Sequence, residues 1–286
     1  MKRRTLACSL LAIAGIAALA AYGFTGRRHD PSLSARLEQI VAVTSQREIS
    51  CAEAAASRPL VVLALGQSNA GNHGAPLGHP AEPLTLIAEG RCIKASDPLP
   101  GGTGTGGSIW QRLPASLAAQ KYPRPLVVSV LAIDATSIAD WTNTRSPLRA
   151  RLVAHVASMR HLGLPPDLVL WQQGEADART GTAANDYVSG LGRLAATLSE
   201  AGSSAPIILA HSTVCRSAPN TALRNAVQDL VSGDRRFRLG PDTDTLADDT
   251  FRIGCHLTSE GLDSAANMWA AAIISQGSTI NPARFQ

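Results

Sequence analysis

Four apolar runs of strand length, at 60–65, 125–132, 167–172 and 206–211, alternate along the chain with stretches whose apolar residues recur at helical spacing. Those stretches span 108–122, 147–162, 184–201, 219–232 and 258–275, and some open on Ser, Thr or Pro, residues that start helices. Strands that return in the same direction need crossovers, and helices supply them. The alternation therefore predicts a parallel sheet covered on both faces. The chain has 286 residues, 45% hydrophobic and 17% charged, enough for one sizeable α/β core and too apolar for a disordered chain. That core is expected over residues 59–286, preceded by a linker and short helix at 27–58. In open α/β sheets ligands bind beyond the carboxyl ends of the strands, so the loops after the apolar runs are where chemistry is sought.

The first 26 residues have a different character. Lys2-Arg3-Arg4 precedes an almost uninterrupted apolar run from Leu6 to Phe24, the pattern of an export signal. Ala18-Leu19-Ala20 offers a small-x-small cleavage pattern, while the length of the run also suits an uncleaved anchor with its basic end in the cytoplasm. Either way the domain is expected outside the cytoplasm, periplasmic or extracellular, with a membrane partner only if the segment stays attached. Cys8 lies too early in the run for a lipoprotein site and reads as a membrane-embedded thiol. Of the formal charge of +4, three units belong to Lys2, Arg3 and Arg4, and no dense Lys/Arg block remains. Nucleic acid is excluded as a partner on that ground.

Four cysteines follow the leader: Cys51, Cys92, Cys215 and Cys255. An even count in an oxidising compartment points to two disulfides, although four cysteines allow three pairings, and four separate buried thiols are the alternative. Topology favours Cys51–Cys92 and Cys215–Cys255, because the second bridge would tie the loop around His256 to the end of a strand. Metal-site spacing is absent, with no CxxC and no HExxH, and no metal or organic cofactor is expected.

The first strand run stops at Gly66-Gln67-Ser68-Asn69-Ala70-Gly71. Gly66 permits a sharp turn that would expose the Ser68 hydroxyl at the strand's carboxyl end, where a base and a substrate can reach it; an ordinary polar turn has the same composition. The glycine run 101–107 lacks the lysine of a phosphate loop and follows no apolar strand. It reads either as a flexible loop or as bare N–H groups of Gly106 and Gly107 brought to a ligand just before the helix at Ser108-Ile109-Trp110. After the third strand run comes Trp171-Gln172-Gln173-Gly174-Glu175-Ala176-Asp177. Here Gln173 could donate its amide to an oxyanion, and Glu175 and Asp177 could anchor loops or orient a base. Late in the chain, Gly254-Cys255-His256-Leu257-Thr258 places a histidine before a helix. A serine nucleophile needs a base of near-neutral pKa, which histidine provides. His29, His79, His155 and His161 read as ordinary surface or core residues. Trp110, Trp141 and Trp171 read as core, or as the floor of a sugar-stacking groove.

In this order and at these strand ends, the motifs resemble those of the SGNH hydrolase superfamily, and within it the sialate O-acetylesterase-like carbohydrate esterases, over roughly residues 60–272. Gly66-Gln67-Ser68-Asn69 is similar to the nucleophile block, Gly106-Gly107-Ser108 to the glycine block, and Gln173-Gly174-Glu175 to the block that replaces the superfamily's Gly-x-Asn-Asp. Thr136-Ser137-Ile138-Ala139-Asp140-Trp141 also resembles a family segment. The resemblance implies a three-layer α/β/α sandwich, flavodoxin-like, with a parallel sheet. It implies Ser68 as nucleophile, His256 as base, and an oxyanion hole made by the N–H groups of Ser68 and Gly107 with the Gln173 side chain. The expected activity is a serine esterase removing O-acetyl groups from a carbohydrate through an acyl-enzyme. The alternatives are acetyl transfer to a second sugar hydroxyl, or a catalytically weakened carbohydrate-binding or assembly protein. One departure stands out: the family's aspartate three residues before the histidine is Ile253 here. An isoleucine cannot accept the ring N–H, which leaves Glu175, Asp248 and Asp249 as candidate orienting carboxylates.

Overall fold

The computed structural model describes residues 32–76 and 82–276. The basic and apolar leader with Cys8, and likewise His29 and His79, lie outside the described residues. Among those described, no helix is long and apolar enough to cross a membrane.

The elements run in the order α1 (Leu33–Leu37), β1 (Arg47–Ile49), α2 (Cys51–Ala56), β2 (Leu60–Gly66), β3 (Leu84–Ala88), β4 (Arg91–Ala95), α3 (Ile109–Ala119), β5 (Leu126–Ala132), α4 (Ile138–Thr142), α5 (Pro147–His161), β6 (Leu168–Gln172), α6 (Glu175–Thr180), α7 (Ala184–Glu200), β7 (Ile207–His211), α8 (Thr221–Gly233), β8 (Phe237–Asp242), β9 (Arg252–Ile253), β10 (His256–Leu257) and α9 (Ser259–Ser275). Eight strands form one sheet in the order β1-β4-β3-β5-β2-β6-β7-β8. From β3 to β8 every neighbouring pair is parallel, with Val62 of β2 opposite Val128 of β5 and Leu168 of β6. Numbered among themselves, β2, β5, β6, β7 and β8 follow the 2-1-3-4-5 order of flavodoxin.

Two antiparallel pairings, β3–β4 and β4–β1, make the sheet mixed rather than wholly parallel. The β3–β4 hairpin had no sequence signal as clear as the buried runs, because β4 carries Arg91 and Lys94 among its five residues. Residues 33–58, read as a linker with one helix, contribute α1, the edge strand β1 and α2, and Cys51 of α2 is bonded to Cys92 of β4.

The layers follow from the two-residue period of the strands. Leu60, Val62 and Ala64 of β2 pack on one side with Ile109, Trp110 and Leu113 of α3 and with Ala266, Trp269 and Ile273 of α9. Val61, Leu63 and Leu65 pack on the other side with Leu152 and Val156 of α5, Leu191 and Leu194 of α7, and Val227 of α8. The three-layer α/β/α sandwich is thus the observed architecture, and β2 at its centre is buried along its whole length.

Candidate active site

Gly66 ends β2 with φ +149°, and a Cβ built there would sit 2.0 Å from the Gln172 carbonyl oxygen of β6. Only glycine fits that approach, and it turns the chain into a single 3₁₀ turn, Ser68–Ala70. The turn is clamped from several directions. Trp110 donates its indole N–H to the Ala70 carbonyl at 2.6 Å, and the Ala176 N–H donates to Gln67 Oε1 at 3.0 Å. Asn69 Nδ2 donates both to Glu175 Oε1 at 2.7 Å and to the Cys255 carbonyl at 2.9 Å, joining the serine turn to α6 and to the histidine loop. The Ser68 N–H stands at the first position of the turn, where helical geometry supplies no acceptor.

His256 sits on a two-residue hairpin, directly opposite Ile253. The hairpin is fixed by Arg252, a buried guanidinium that donates to the carbonyls of Leu246, Val214, Cys255 and Thr243. It is also fixed by the Cys215–Cys255 disulfide, which leads into His256. The result is a pocket of about 180 Å³ at the carboxyl ends of β2, β5 and β6, lined by Ser68, His73, Asp134, Glu175, Arg179 and His256, with both cysteines of that disulfide in its wall. It lies at the switch point where the strand order reverses around β2.

Burial dominates the electrostatics. His256 is pulled down to about 4 by desolvation, assisted by His73, Arg252 and Arg216 and opposed by Asp134. Desolvation also lowers His73, again against Asp134. Glu175 is pushed up by burial, against hydrogen bonds from Asn69 and Ser212 and the charge of Arg252.

Several expected partners are elsewhere. Gln173 does not reach the pocket: its Nε2 donates to Asp177 Oδ2 at 2.6 Å and to the Thr136 carbonyl at 2.9 Å, and its Oε1 accepts from Tyr187. Those bonds consume the amide protons an oxyanion would need. Gly107 donates its N–H to the Gly74 carbonyl at 3.1 Å, so it too is spent. Of the expected oxyanion donors only the Ser68 N–H remains open. Asp248 and Asp249 are exposed, and Asp248 Oδ1 accepts from Thr250 N, so neither is brought to His256. Glu175 does line the pocket: its Oε1 accepts from Asn69 and Ser212, while its Oε2 is buried without a hydrogen-bond partner. Trp110, Trp141 and Trp171 are fully buried, which removes the sugar-stacking groove. His155 contacts Ser129 Oγ at 2.7 Å, but Ser129 donates to the Ile87 carbonyl, which makes this second Ser–His pair a core contact. Among the described residues no group of three His, Cys, Asp or Glu side chains could hold a metal ion.

His73 and Asp134 line the pocket although no motif in the sequence marks them. Five residues beyond Ser68, His73 stands in the same connection, a proximity visible in the sequence; Asp134 carries no such mark, since only the fold brings the loop after β5 to this pocket.

No family model matches the chain, and no curated protein matches it either. Solved structures do. A protein from Arabidopsis thaliana superposes with a TM-score of 0.57 at 18% identity, covering 76% of this chain and 98% of its own. A carbohydrate esterase family 3 protein from Talaromyces cellulolyticus gives 0.50 at 13% identity, covering 78% and 100%. A carbohydrate acetylesterase from Sinorhizobium meliloti gives 0.50 at 13% identity, covering 75% and 98%. The chain therefore has the α/β/α fold that these two esterases adopt, the fold implied by its SGNH-like motifs.

Proposed function

We propose that this protein is a serine esterase that removes O-acetyl groups from a carbohydrate. The observation that carries the proposal is the convergence of Ser68 and His256, from loops 188 residues apart, on one small pocket at the sheet's switch point. Ser68 Oγ attacks the acetyl carbonyl carbon while its proton passes to His256. The oxyanion forms beside the Ser68 N–H. Collapse of the tetrahedral intermediate breaks the bond to the sugar oxygen, which takes the proton from His256, and water then releases acetate by the same steps. No hydrogen bond joins Ser68 Oγ to His256; such contacts often tighten only when substrate binds. A pocket of about 180 Å³ suits a short acyl group, leaving the sugar outside its mouth. The acetylesterase activity named for the Sinorhizobium relative supports the same reaction class. The two disulfides support residence in an oxidising compartment, in keeping with the export signal.

Acetate release from 4-nitrophenyl acetate and from an acetylated polysaccharide tests the reading, comparing the full chain with Ser68→Ala and His256→Ala. Each substitution is expected to lower kcat about 10³-fold or more. Turnover equal to that of the variants would overturn the esterase reading. Acetylation of an added sugar acceptor without free acetate would instead assign acetyl transfer. The unbonded imidazole and Ile253 favour one second reading, a catalytically weakened polysaccharide-binding protein, for which glycan would bind without turnover.

A further inference from the structure

The hairpin that carries His256 offers it no carboxylate. Ile253, its cross-strand partner, is 75% exposed, and neither imidazole nitrogen hydrogen-bonds to a described residue. Glu175 accepts from Asn69 and Ser212 on Oε1 and keeps a buried Oε2 without a hydrogen-bond partner, but it is not among the charges that act on His256. The pocket wall holds one other carboxylate, Asp134, whose Oδ1 is likewise buried without a hydrogen-bond partner and whose charge does favour a protonated His256. Asp134 is coupled to a second histidine through Thr103: its N–H donates to Thr103 Oγ1 at 2.9 Å, and Thr103 Oγ1 lies 3.1 Å from His73 Nε2. The threonine hydrogen can point to the Ala132 carbonyl at 3.5 Å or to His73 Nε2; the shorter contact places the His73 proton on Nδ1. The His73 and His256 rings are 5.2 Å apart between centroids, inclined at 38°.

We infer that His73 and Asp134 are positioning residues for His256, together supplying the orientation and charge compensation that a carboxylate at position 253 would otherwise provide. The inference rests on the esterase reading and extends it. His256 faces His73 from the connection after β2, Asp134 from the loop after β5, Glu175 and Arg179 from α6, Arg216 from the loop after β7, and Arg252 from β9. Arg36 of α1 lies behind Asp134 and donates to its carbonyl at 2.7 Å. Two guanidinium groups, Arg252 and Arg216, thus oppose an imidazolium at position 256, and Asp134 opposes them. As the bond from Ser68 Oγ to the acetyl carbon forms, the carbonyl pair moves to its oxygen and the serine proton to His256. His73 stays neutral throughout, holding the ring while Asp134 offsets its charge; the proton leaves on the departing sugar oxygen.

Four full-length variants test this on 4-nitrophenyl acetate: His73→Gln, Asp134→Asn, Ile253→Asp and the double variant His73→Gln/Ile253→Asp. His73→Gln and Asp134→Asn are each expected to lower kcat about 10- to 100-fold with KM within about threefold, less than the ~10⁴ lost with the orienting aspartate of a serine protease. Asp134→Asn removes a charge that favours the imidazolium, so the acid limb of its kcat/KM profile moves to lower pH. Ile253→Asp restores kcat about tenfold or more in the His73→Gln background, a rescue that a merely structural role for His73 does not produce. Unchanged kcat in both single variants, an unmoved acid limb in Asp134→Asn, or no rescue would each overturn the inference. Should His73→Gln fail to fold, Asp134→Asn, which keeps the side chain's shape, decides by its kcat and acid limb. Ser68→Ala run alongside separates the two levels: its loss of activity upholds the esterase reading even where the positioning role fails.

Discussion

At His256 burial works against protonation more strongly than any single neighbour, and the consequence is read in a pH profile. With its pKa drawn down to about 4, the imidazole remains neutral, and so competent as a base, from pH 7 to below pH 5. The acid limb of kcat/KM is expected near pH 4, where an unshifted histidine would place it near 6.5. An aspartate at 253 would face His256 across the hairpin and favour the charged ring, so Ile253→Asp moves that limb to higher pH. A limb at 6.5 in the wild type would show that water and substrate relieve the desolvation. At this scale much was legible. Gly66, Ser68 and His256 could be singled out because a strand end, a turn glycine and a pre-helix histidine are local patterns. Gln173 could not be judged: whether an amide faces a pocket or a buried aspartate depends on Asp177 and Tyr187 packing behind it.

The elements hold the site through buried polar connections as much as through apolar packing. Asp177 of α6 accepts from the Ile138 N–H at 2.9 Å, from Gln173 Nε2 at 2.6 Å and from Thr182 Oγ1 at 2.8 Å, tying α4 to α6. Asp177→Ala strands those donors at about 1–3 kcal/mol for each one left buried without water. Denaturant unfolding is expected to show a loss of several such units, and a loss below about 1 kcal/mol would mean that water replaces the carboxylate. Gly66→Ala is expected to cost about 3 kcal/mol, at the upper end for an unfavourable backbone conformation, because its Cβ would also press the β6 carbonyl. Helix limits matched the amphipathic patterns within a few residues: 147–162 became Pro147–His161, and 184–201 became Ala184–Glu200. Both patterns keep a continuous buried stripe, which local sequence reports well. Strands β1, β3, β4 and β8 escaped notice: β1, β4 and β8 are short or carry charged residues, and β3 is a five-residue run broken by Thr85.

Across the described residues, two covalent ties and a set of half-buried histidines set the conditions for stability. The Cys51–Cys92 bridge joins residues 41 apart in sequence, and loop entropy assigns its removal a cost of about 4 kcal/mol. Cys51→Ser/Cys92→Ser is expected to melt well below the wild type while retaining its kcat at 25 °C, since this bridge lies away from the Ser68 pocket. His155, held down to about 4 by burial, binds its proton in the unfolded chain near 6.5 but not in the folded one. Its contribution is therefore complete above pH 6.5 and is lost as pH falls toward 4. Asp97, raised to about 6 by burial, acts with the opposite sign, so the informative quantity is a difference. The melting advantage of the wild type over His155→Gln should narrow between pH 7 and pH 4.5; a constant gap would mean that His155 is solvated. The sequence alone determined the layered α/β architecture, the serine turn after β2 and the pre-helix histidine, since hydrophobic periodicity and turn chemistry act over a few residues. The tertiary structure alone decided which donors remain open, that His73 and Asp134 share the pocket, and that no nearby carboxylate grips His256. Those outcomes depend on which atoms meet across loops far apart in the chain, and on how much water burial takes from them.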